Sequence, residues 1–287
     1  MNKSVCALLL IALPLLNSHC LNAQEFIPAA HAPVSISPTP QAKLKLERAA
    51  FHPFEFSSAI GIRLPYRLLT PILPAPTGGY PLVLVLHGSD GIGTNNLAQL
   101  GEFIASWADE AVQQRFPAYV IAPQFPSRSA AYQISPADNL LASYAGAPLL
   151  AALELVDHLA TTLPIDRSRI YITGFSMGAS SGWHALLLRP NLFAAAVLAS
   201  GTPPERANAA KLSTTPLLMT HGNVDPENPF EPDRAMYAAL RSQGNTVAQF
   251  REYDNLPHAV PPDMQPPTKA TEWWRNWLFS QRKKRTD

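Results

Sequence analysis

A series of short apolar segments, each bounded by glycine, proline or asparagine, runs through most of this chain. The segments have the length and composition of β-strands: GIRLPYRLLTP, PLVLVLHG, AYVIAPQ, RIYITGF, AAAVLAS, PLLMTHG and TVAQFREY, in that order within residues 61–253. The run LVLVL has no polar alternation, which is typical of a central parallel strand that is covered on both faces. The pattern therefore predicts a sheet with helices on either side.

Segments with helical spacing lie between the later strands. Apolar residues recur at helical intervals in two stripes: Leu149, Leu150, Leu153, Val156 and Leu159 in the first, and Ala235, Met236, Ala239 and Leu240 in the second. Strands that alternate with helices predict one α/β domain, with a mostly parallel central sheet and helices on both faces.

The first residues have the pattern of a secretory signal peptide. Lys3 precedes an apolar run over residues 5–16, and a small-residue ending predicts cleavage after Ala23. The apolar run is shorter than the roughly 20 residues that a membrane helix needs. Both cysteines, Cys6 and Cys20, lie in the segment that would be removed, so the mature chain would have no disulfide and no thiolate nucleophile. We expect a periplasmic or secreted protein without a membrane span.

These patterns divide the chain into four parts. We expect a signal peptide (1–23), a Pro/Ala-rich and partly disordered lead-in (24–56), an α/β domain (57–280) and a basic tail (281–287). The lead-in has no clear hydrophobic period, and we expect little order before about residue 45. The formal net charge is only +1, so no overall field is available to attract nucleic acid.

The most specific motif is Gly-Phe-Ser-Met-Gly at residues 174–178, a G-x-S-x-G pattern between a predicted strand and a predicted helix. A serine on a sharp strand-to-helix turn needs glycines two residues away on both sides, because larger side chains would collide there. The pattern alone is weak, and its position between RIYITGF and ASSGWHALLL makes it specific. An ordinary turn with a capping serine is the alternative. We interpret Ser176 as a candidate nucleophile.

A serine hydroxyl becomes a good nucleophile only when a neighbouring base removes its proton, so a histidine and an orienting carboxylate are needed. The motif resembles the nucleophile turn of the α/β hydrolases, in which the acid and then the histidine follow the serine along the chain. Asp225 follows the segment PLLMTHG, and His258 follows TVAQFREY. Both lie just past the carboxyl ends of predicted strands, where open parallel sheets bind ligands. The candidate triad is therefore Ser176, Asp225 and His258.

Several residues compete with this assignment. Asp254 is the main alternative acid, although an extended chain would put it about 13 Å from His258, and Glu227 is a third candidate. His87 and His221 each precede a glycine directly after a predicted strand, and we interpret both as turn residues.

Negative charge on the attacked carbonyl oxygen needs two hydrogen-bond donors. One candidate is the backbone N–H of Met177, and the other is Ser89 in the loop GSDGIGTNN. This loop lacks the lysine and the spacing of a phosphate-binding loop, which argues against nucleotide binding. Asp90 and Trp183 are candidate substrate-binding residues, although core packing is favoured over a pocket wall for Trp183.

The chain resembles the α/β-hydrolase superfamily, and within it the exported bacterial esterases related to feruloyl and acetyl-xylan esterases, polyhydroxybutyrate depolymerases and phospholipase/carboxylesterase-like peptidases. The matching segments cover most of residues 60–279: LPYRLLTP, PLVLVLHGSDGIGTNN, YVIAPQFP, IDRSRIYITGFSMGASSGWHALLLRPNLFAAAVLASG and PLLMTHGNVDPENP. The resemblance implies an α/β-hydrolase fold and the same triad, with Met177 and the loop after His87 as the oxyanion hole.

The resemblance also implies a serine hydrolase that cleaves carboxylic esters through an acyl-enzyme, with neither a metal nor an organic cofactor. Its substrate would be a small-molecule or polymer-linked ester. A polyester depolymerase and a serine peptidase with the same triad stay open. So does an inactive binding protein, whose signature would be a missing triad residue. Residues 127–147 are the expected additional wall of the active site.

Overall fold

The computed structural model of the protein describes residues 27–29, 39–265 and 267–283. The expected signal peptide (1–23) lies outside the described residues, as do most of the lead-in before residue 39 and the last four residues of the expected basic tail. Within the described ranges, no helix has both the length and the apolar character that crossing a membrane requires.

The strands in the described part of the chain form two sheets. Their bounds are β1 (Ile27–Ala29), β2 (His52–Ser57), β3 (Arg63–Leu69), β4 (Tyr80–Leu86), β5 (Tyr119–Pro123), β6 (Ala130–Ile134), β7 (Leu141–Ala145), β8 (Ile165–Phe175), β9 (Ala195–Ala199), β10 (Leu217–Gly222) and β11 (Gln249–Tyr253).

The helices lie mainly between consecutive strands of the larger sheet. Their bounds are α1 (Gln41–Ala49), α2 (Glu102–Ala105), α3 (Glu110–Arg115), α4 (Ala147–Thr162), α5 (Met177–Leu188), α6 (Glu231–Ser242) and α7 (Trp273–Ser280). The two stripes of apolar residues predicted from the sequence lie on α4 and α6.

The larger sheet has the strand order β1-β11-β10-β9-β8-β4-β5-β3-β2 within the described residues. Neighbouring strands from β1 through β5 are parallel, and β3 and β2 join the edge in antiparallel pairs. This arrangement confirms the mostly parallel sheet that the sequence predicts. Because β8, β9, β10 and β11 are parallel, the loops after them meet at one edge of the sheet.

Strand β4 shows how one segment serves both faces of the sheet. All seven of its residues are buried. Leu82 and Leu84 pack in the layer that contains α4, α5 and α6, and Val83 and Val85 pack in the opposite layer with α7. Side chains of a strand alternate between faces, so a strand covered on both sides must be apolar throughout.

Helix α1 and strand β2 lie in the segment predicted to be a lead-in. Strand β2 pairs with β3 in the sheet, and Leu44 of α1 and Phe51 beyond it are buried. The expectation of little order before residue 45 is therefore wrong for the first turn of α1, and the packed domain begins before the predicted boundary at residue 57. The helix buries only Leu44 and Glu47, too few residues to give a visible hydrophobic period.

The predicted basic tail also begins in contact with the domain. The guanidinium of Arg282 lies 2.9 Å from Asp166, and the ammonium of Lys283 donates to the carbonyl oxygens of Asn191 and Leu192 at 2.9 and 3.1 Å. The first residues after α7 are thus held against the end of the sheet opposite to the loops that follow β8, β9, β10 and β11.

Candidate active site

Ser176 lies at the junction of β8 and α5, in a backbone conformation that residues other than glycine seldom adopt. Its φ is 56° and its ψ is −122°. A Cβ on Gly174 would lie 2.5 Å from the carbonyl carbon of Gly178, and a Cβ on Gly178 would collide with the carbonyl oxygen of Leu86. The turn therefore approaches its own helix and strand β4 so closely that both glycines of the motif are required, as predicted from the sequence.

Ser176, His258 and Asp225 form a continuous hydrogen-bonded chain. His258 Nε2 lies 2.9 Å from Ser176 Oγ, and Nδ1 lies 2.7 Å from Asp225 Oδ2. An ionised carboxylate only accepts hydrogen bonds, so the imidazole carries its proton on Nδ1 and can accept the hydroxyl proton on Nε2. The ring of Phe175 packs against the imidazole, with centroids 4.9 Å apart, and limits its rotation.

The two competing carboxylates occupy other positions. Asp254 accepts a hydrogen bond from the side-chain amide of Asn223 at 2.9 Å. Glu227 lies 3.7 Å from His258 Nε2, and its side chain is 67% exposed. Among the described carboxylates, Asp225 is the one bonded to His258 Nδ1.

The loop that carries His258 is held from two neighbouring strand ends. The backbone N–H of Asn255, a residue with φ of 55°, donates to the side-chain oxygen of Asn223 at 2.9 Å. The hydroxyl of Ser200 donates to the carbonyl oxygen of Ala259 at 3.1 Å. Asn223 and Ser200 are absent from the sequence prediction, since nothing in their spacing shows that they meet this loop.

Asp225 is buried, yet it is held as a carboxylate. Burial would raise its pKa, but hydrogen bonds from His221, His258 and the backbone N–H groups of Asn228 and Glu227 outweigh that effect and hold the pKa of Asp225 well below its usual range. The two backbone donors both reach Oδ1, at 2.9 Å each. Oδ2 is left to the two histidines.

His221 is not a turn residue, and the sequence interpretation of it is wrong. It lies within β10 with its side chain fully buried, and its Nε2 is 3.3 Å from Asp225 Oδ2. Its Nδ1 is 2.8 Å from Asp233 Oδ2 on α6. The sequence signal that could have indicated this contact is the spacing of four residues between His221 and Asp225 at one strand end.

The loop after β4 is fixed through His87. The backbone N–H of Phe125 donates to His87 Nε2 at 3.0 Å, so Nδ1 carries the proton that reaches the carbonyl oxygen of Gly88 at 2.6 Å. Burial lowers the pKa of His87, which keeps the ring neutral. This histidine therefore ties the loop that begins at Ser89 to the end of β5.

Ser89 and Met177, the residues predicted to form the oxyanion hole, line the same cavity as Ser176. Met177 is the first residue of α5, and the first N–H groups of a helix have no partner within the helix. The N-terminal end of α5 thus presents a backbone donor beside the Ser176 hydroxyl.

Two cavities of about 290 Å³ each open at this edge of the sheet. The apolar cavity lies beside His258 and is walled by Phe103, Ile104, Phe175 and Val260, with Asp90 at its edge. The polar cavity contains Ser176 and is walled by Arg128, Tyr132, Leu141 and Glu227. Among the described residues, no group of three or more His, Cys, Asp or Glu side chains could hold a metal ion.

The two residues predicted to bind substrate lie in different environments. Asp90 lines the apolar cavity. Trp183 is 1% exposed and packs in the main core cluster, so the alternative of a pocket wall is wrong for it. Its position on the buried face of α5 gives it helix and sheet neighbours on all sides.

The expected wall at residues 127–147 contains a β-hairpin formed by β6 and β7. It packs along one face of α5 through polar pairs: Tyr132 with Ser180 at 3.3 Å, Ser129 with Ser181 at 2.8 Å, and Ser143 with His184 at 3.0 Å. These contacts aim Tyr132 and Leu141 at the polar cavity.

Comparison with known proteins agrees with this architecture. Residues 149–268 match the sequence model of the Phospholipase/Carboxylesterase family. "Probable carboxylesterase Os04g0669600" of Oryza sativa subsp. japonica is 26% identical over 229 residues, which cover 71% of this chain and 89% of that protein. "Putative esterase NocK" of Nocardia uniformis subsp. tsuyamanensis is 28% identical over 168 residues, which cover 58% of this chain and 46% of that protein.

Solved structures show the same likeness. The crystal structure of a thermostable esterase matches with a TM-score of 0.70 and 29% identity, and the match covers 83% of this chain and 64% of that chain. This chain therefore spans less than two thirds of the length of the thermostable esterase.

The segment that matches the family model begins in α4 and ends after His258, so it includes the turn of Ser176 and the loops of Asp225 and His258. The sheet order, the strained serine turn and the similarities to esterases agree with one another. The chain has the α/β-hydrolase fold, and its similarities to esterases support a hydrolase that acts on esters.

Proposed function

We propose that this protein is an exported serine esterase whose catalytic triad is Ser176, His258 and Asp225. The observation that carries the proposal is the continuous hydrogen-bonded chain from Ser176 Oγ through His258 to Asp225, on a strained turn at the carboxyl edge of a parallel sheet. Each contact has the length that proton transfer and imidazole orientation require.

In the proposed reaction, Ser176 Oγ attacks the ester carbonyl carbon while His258 Nε2 takes the hydroxyl proton. Asp225 stabilises the charged imidazole, and the N–H groups of Met177 and Ser89 stabilise the negative charge on the carbonyl oxygen. When the tetrahedral intermediate collapses, His258 gives its proton to the leaving alcohol. Water then attacks the acyl-enzyme with His258 as base, which releases the carboxylic acid and restores the hydroxyl.

The cavities support a compact substrate. Small-molecule sites are typically about 300 to 1,000 Å³, and each cavity here lies at the lower end, at about 290 Å³. Phe103, Ile104, Phe175 and Val260 suit one short apolar or aromatic group of the ester. A series of aryl esters with increasing acyl length should therefore show kcat/KM falling once the acyl group outgrows the cavity.

Labelling with a fluorophosphonate probe tests the nucleophile. The wild-type protein should react covalently and hydrolyse short aryl esters, and Ser176→Ala should do neither, with kcat reduced by about 10⁴-fold or more. Ser181→Ala is the matched control, since Ser181 is a buried serine of the same helix that bonds to Ser129. Labelling that persists in folded Ser176→Ala would refute the assignment.

The same probe tests export. The pattern of Lys3, the apolar run and Ala23 supports cleavage of a signal peptide. In separated cell fractions, the labelled protein should be periplasmic or extracellular and should begin at Gln24. Labelled protein confined to the cytoplasm with an intact N-terminus would contradict export and leave the esterase assignment untouched.

A further inference from the structure

A fully buried histidine lies directly behind the proposed catalytic acid and has no part in the reaction described above. His221 Nδ1 is 2.8 Å from Asp233 Oδ2. Its Nε2 is 3.0 Å from the carbonyl oxygen of Asn228 and 3.3 Å from Asp225 Oδ2. Both ring nitrogens of His221 thus face oxygen atoms.

The partners of His221 determine where its protons lie. A carbonyl oxygen accepts and cannot donate, so Nε2 carries a proton and donates it to the carbonyl of Asn228, while Asp225 Oδ2 lies 3.3 Å from the same nitrogen. On the other side, one further proton lies between Nδ1 and Asp233, because two unprotonated atoms would repel each other at 2.8 Å. In either position of that proton, the pair of His221 and Asp233 is neutral overall and presents an N–H to Asp225.

Asp225 Oδ2 therefore has two histidine nitrogens close to it, Nδ1 of His258 at 2.7 Å and Nε2 of His221 at 3.3 Å. A polar N–H so close to that oxygen draws negative charge away from the bond to His258, so it lowers the stability of charged His258. The backbone N–H of Asn228 also donates to Asp225 Oδ1, so His221 fixes the carboxylate directly and through the residue that binds its other oxygen.

Both histidines have titratable neighbours. His258 faces Asp225, Ser176, the carboxylate of Glu227 at 3.7 Å and the ring of Phe175; Asp90, Glu102 and His87 line the cavity beside it. The neighbour of His221 on β11 is Glu252, which bonds to Arg234 at 2.7 Å. The groups bonded directly to His221 are thus Asp225, Asp233 and the carbonyl of Asn228.

We propose that His221, held by Asp233, is a positioning residue that fixes Asp225 and limits how strongly this carboxylate stabilises the charged form of His258. Burial alone would lower the pKa of His221, but the hydrogen bonds with Asp225 and Asp233 raise it to about 9. The inference rests on the proposed triad.

The test compares His221→Leu, which removes the N–H beside Asp225, with His221→Gln, whose amide N–H can replace it. His184→Leu is the matched control: His184 is another buried histidine, and it bonds to Ser143 away from Asp225. Two quantities are measured for each protein: kcat/KM for a short aryl ester as a function of pH, and the pH titration of the low-field proton NMR signal of His258 Nδ1–H without substrate.

In His221→Leu, the acidic pKa of the kcat/KM profile should rise by about 0.5 to 1 unit, and the plateau should fall about 10- to 100-fold because Asp225 is no longer fixed. The NMR titration should shift by the same amount, and KM should change little. His221→Gln should restore most of the plateau and of the acidic pKa, and His184→Leu should leave the acidic pKa in place.

A folded His221→Leu with the wild-type acidic pKa in both measurements would overturn the proposal. If this variant does not fold, His221→Met takes its place, because its unbranched side chain removes the same N–H. An unchanged acidic pKa in folded His221→Met would again overturn the proposal. If the wild-type protein neither hydrolyses esters nor reacts with the probe, the esterase assignment fails, and the NMR titration still decides whether His221 acts on His258.

Discussion

At the scale of single residues, the two candidate acids differ in how many hydrogen-bond donors surround their carboxylates. Asp225 is bonded by two backbone N–H groups and contacted by two histidines, which fixes it as an anion oriented towards His258. Asp254 is bonded by Asn223 on a more exposed part of the surface. A buried carboxylate that already accepts hydrogen bonds on both oxygens can orient an imidazole, because it has no other partner towards which it could rotate.

Replacing these two acids in turn should separate their roles. Asp225→Asn should lower kcat by about 10⁴-fold, because an amide cannot hold the imidazole in the tautomer that leaves Nε2 free. Asp254→Asn should retain kcat within a few fold. Steady-state hydrolysis of a short aryl ester provides the measurement, with circular dichroism to verify folding, and an inactive Asp254→Asn alongside an active Asp225→Asn would reverse the assignment.

At the scale of elements, α1 and the β6–β7 hairpin are the additions to the central sheet that matter most. The hairpin lies on α5 through side-chain hydrogen bonds and walls the polar cavity. Helix α1 is anchored by Leu44, by Arg48 Nε donating to the carbonyl oxygen of Leu100 at 2.7 Å, and by Lys43 at 2.6 Å from Asp109. A helix of nine residues thus contacts the domain through one buried leucine and through polar side chains, including the buried Glu47.

The two leucines of α1 provide a matched test of this docking. Leu44 is 6% exposed and Leu46 is 73% exposed. Leu44→Ala should lower the free energy of unfolding by about 2 to 4 kcal/mol because it leaves a cavity, whereas Leu46→Ala should change it by about 0.5 kcal/mol or less. Urea unfolding of both variants measures the difference, and equal small effects would mean that α1 does not pack on the domain in solution.

At the scale of the whole molecule, the buried charged groups behind the candidate site also affect the stability of the fold. The unfolded pKa of histidine is about 6.5, and in the folded protein the hydrogen bonds to Asp225 and Asp233 overcome burial and raise that of His221 to about 9. A raised pKa means that the protonated group stabilises the fold below pH 6.5, and that this stabilisation is lost as the pH rises through 9.

The free energy of unfolding should therefore decline between about pH 6.5 and 9, by on the order of 3 kcal/mol if His221 alone is responsible. His221→Gln does not titrate in this range and should lack the decline. Urea unfolding at pH 6 and pH 9 tests this, and a wild-type curve with the same pH dependence as the variant would contradict it. In the acidic range the depressed pKa of Asp225 and the raised pKa of Asp233 act in opposite directions.

Local patterns were enough to predict the central strands, the helices between them and the serine turn. The predicted segments for β3, β4, β5, β8, β9, β10 and β11 all contain strands. In β4 the continuous apolar run reflects a strand that is covered on both faces. Gly174 and Gly178 mark a backbone turn whose steric demand is local. The candidate triad also followed from chain order and strand ends alone.

Only the tertiary structure decided which side chains meet across distant segments. The sequence could not show that Asn223 binds Asp254 or that His221 lies between Asp225 and Asp233, since these contacts join residues through the sheet and α6. It also missed α1 and β2, because they bury few residues and pack at an edge. Short-range periodicity determines which helices and strands form. Where those elements pack determines which polar groups are buried, and burial in turn determines the role of each side chain.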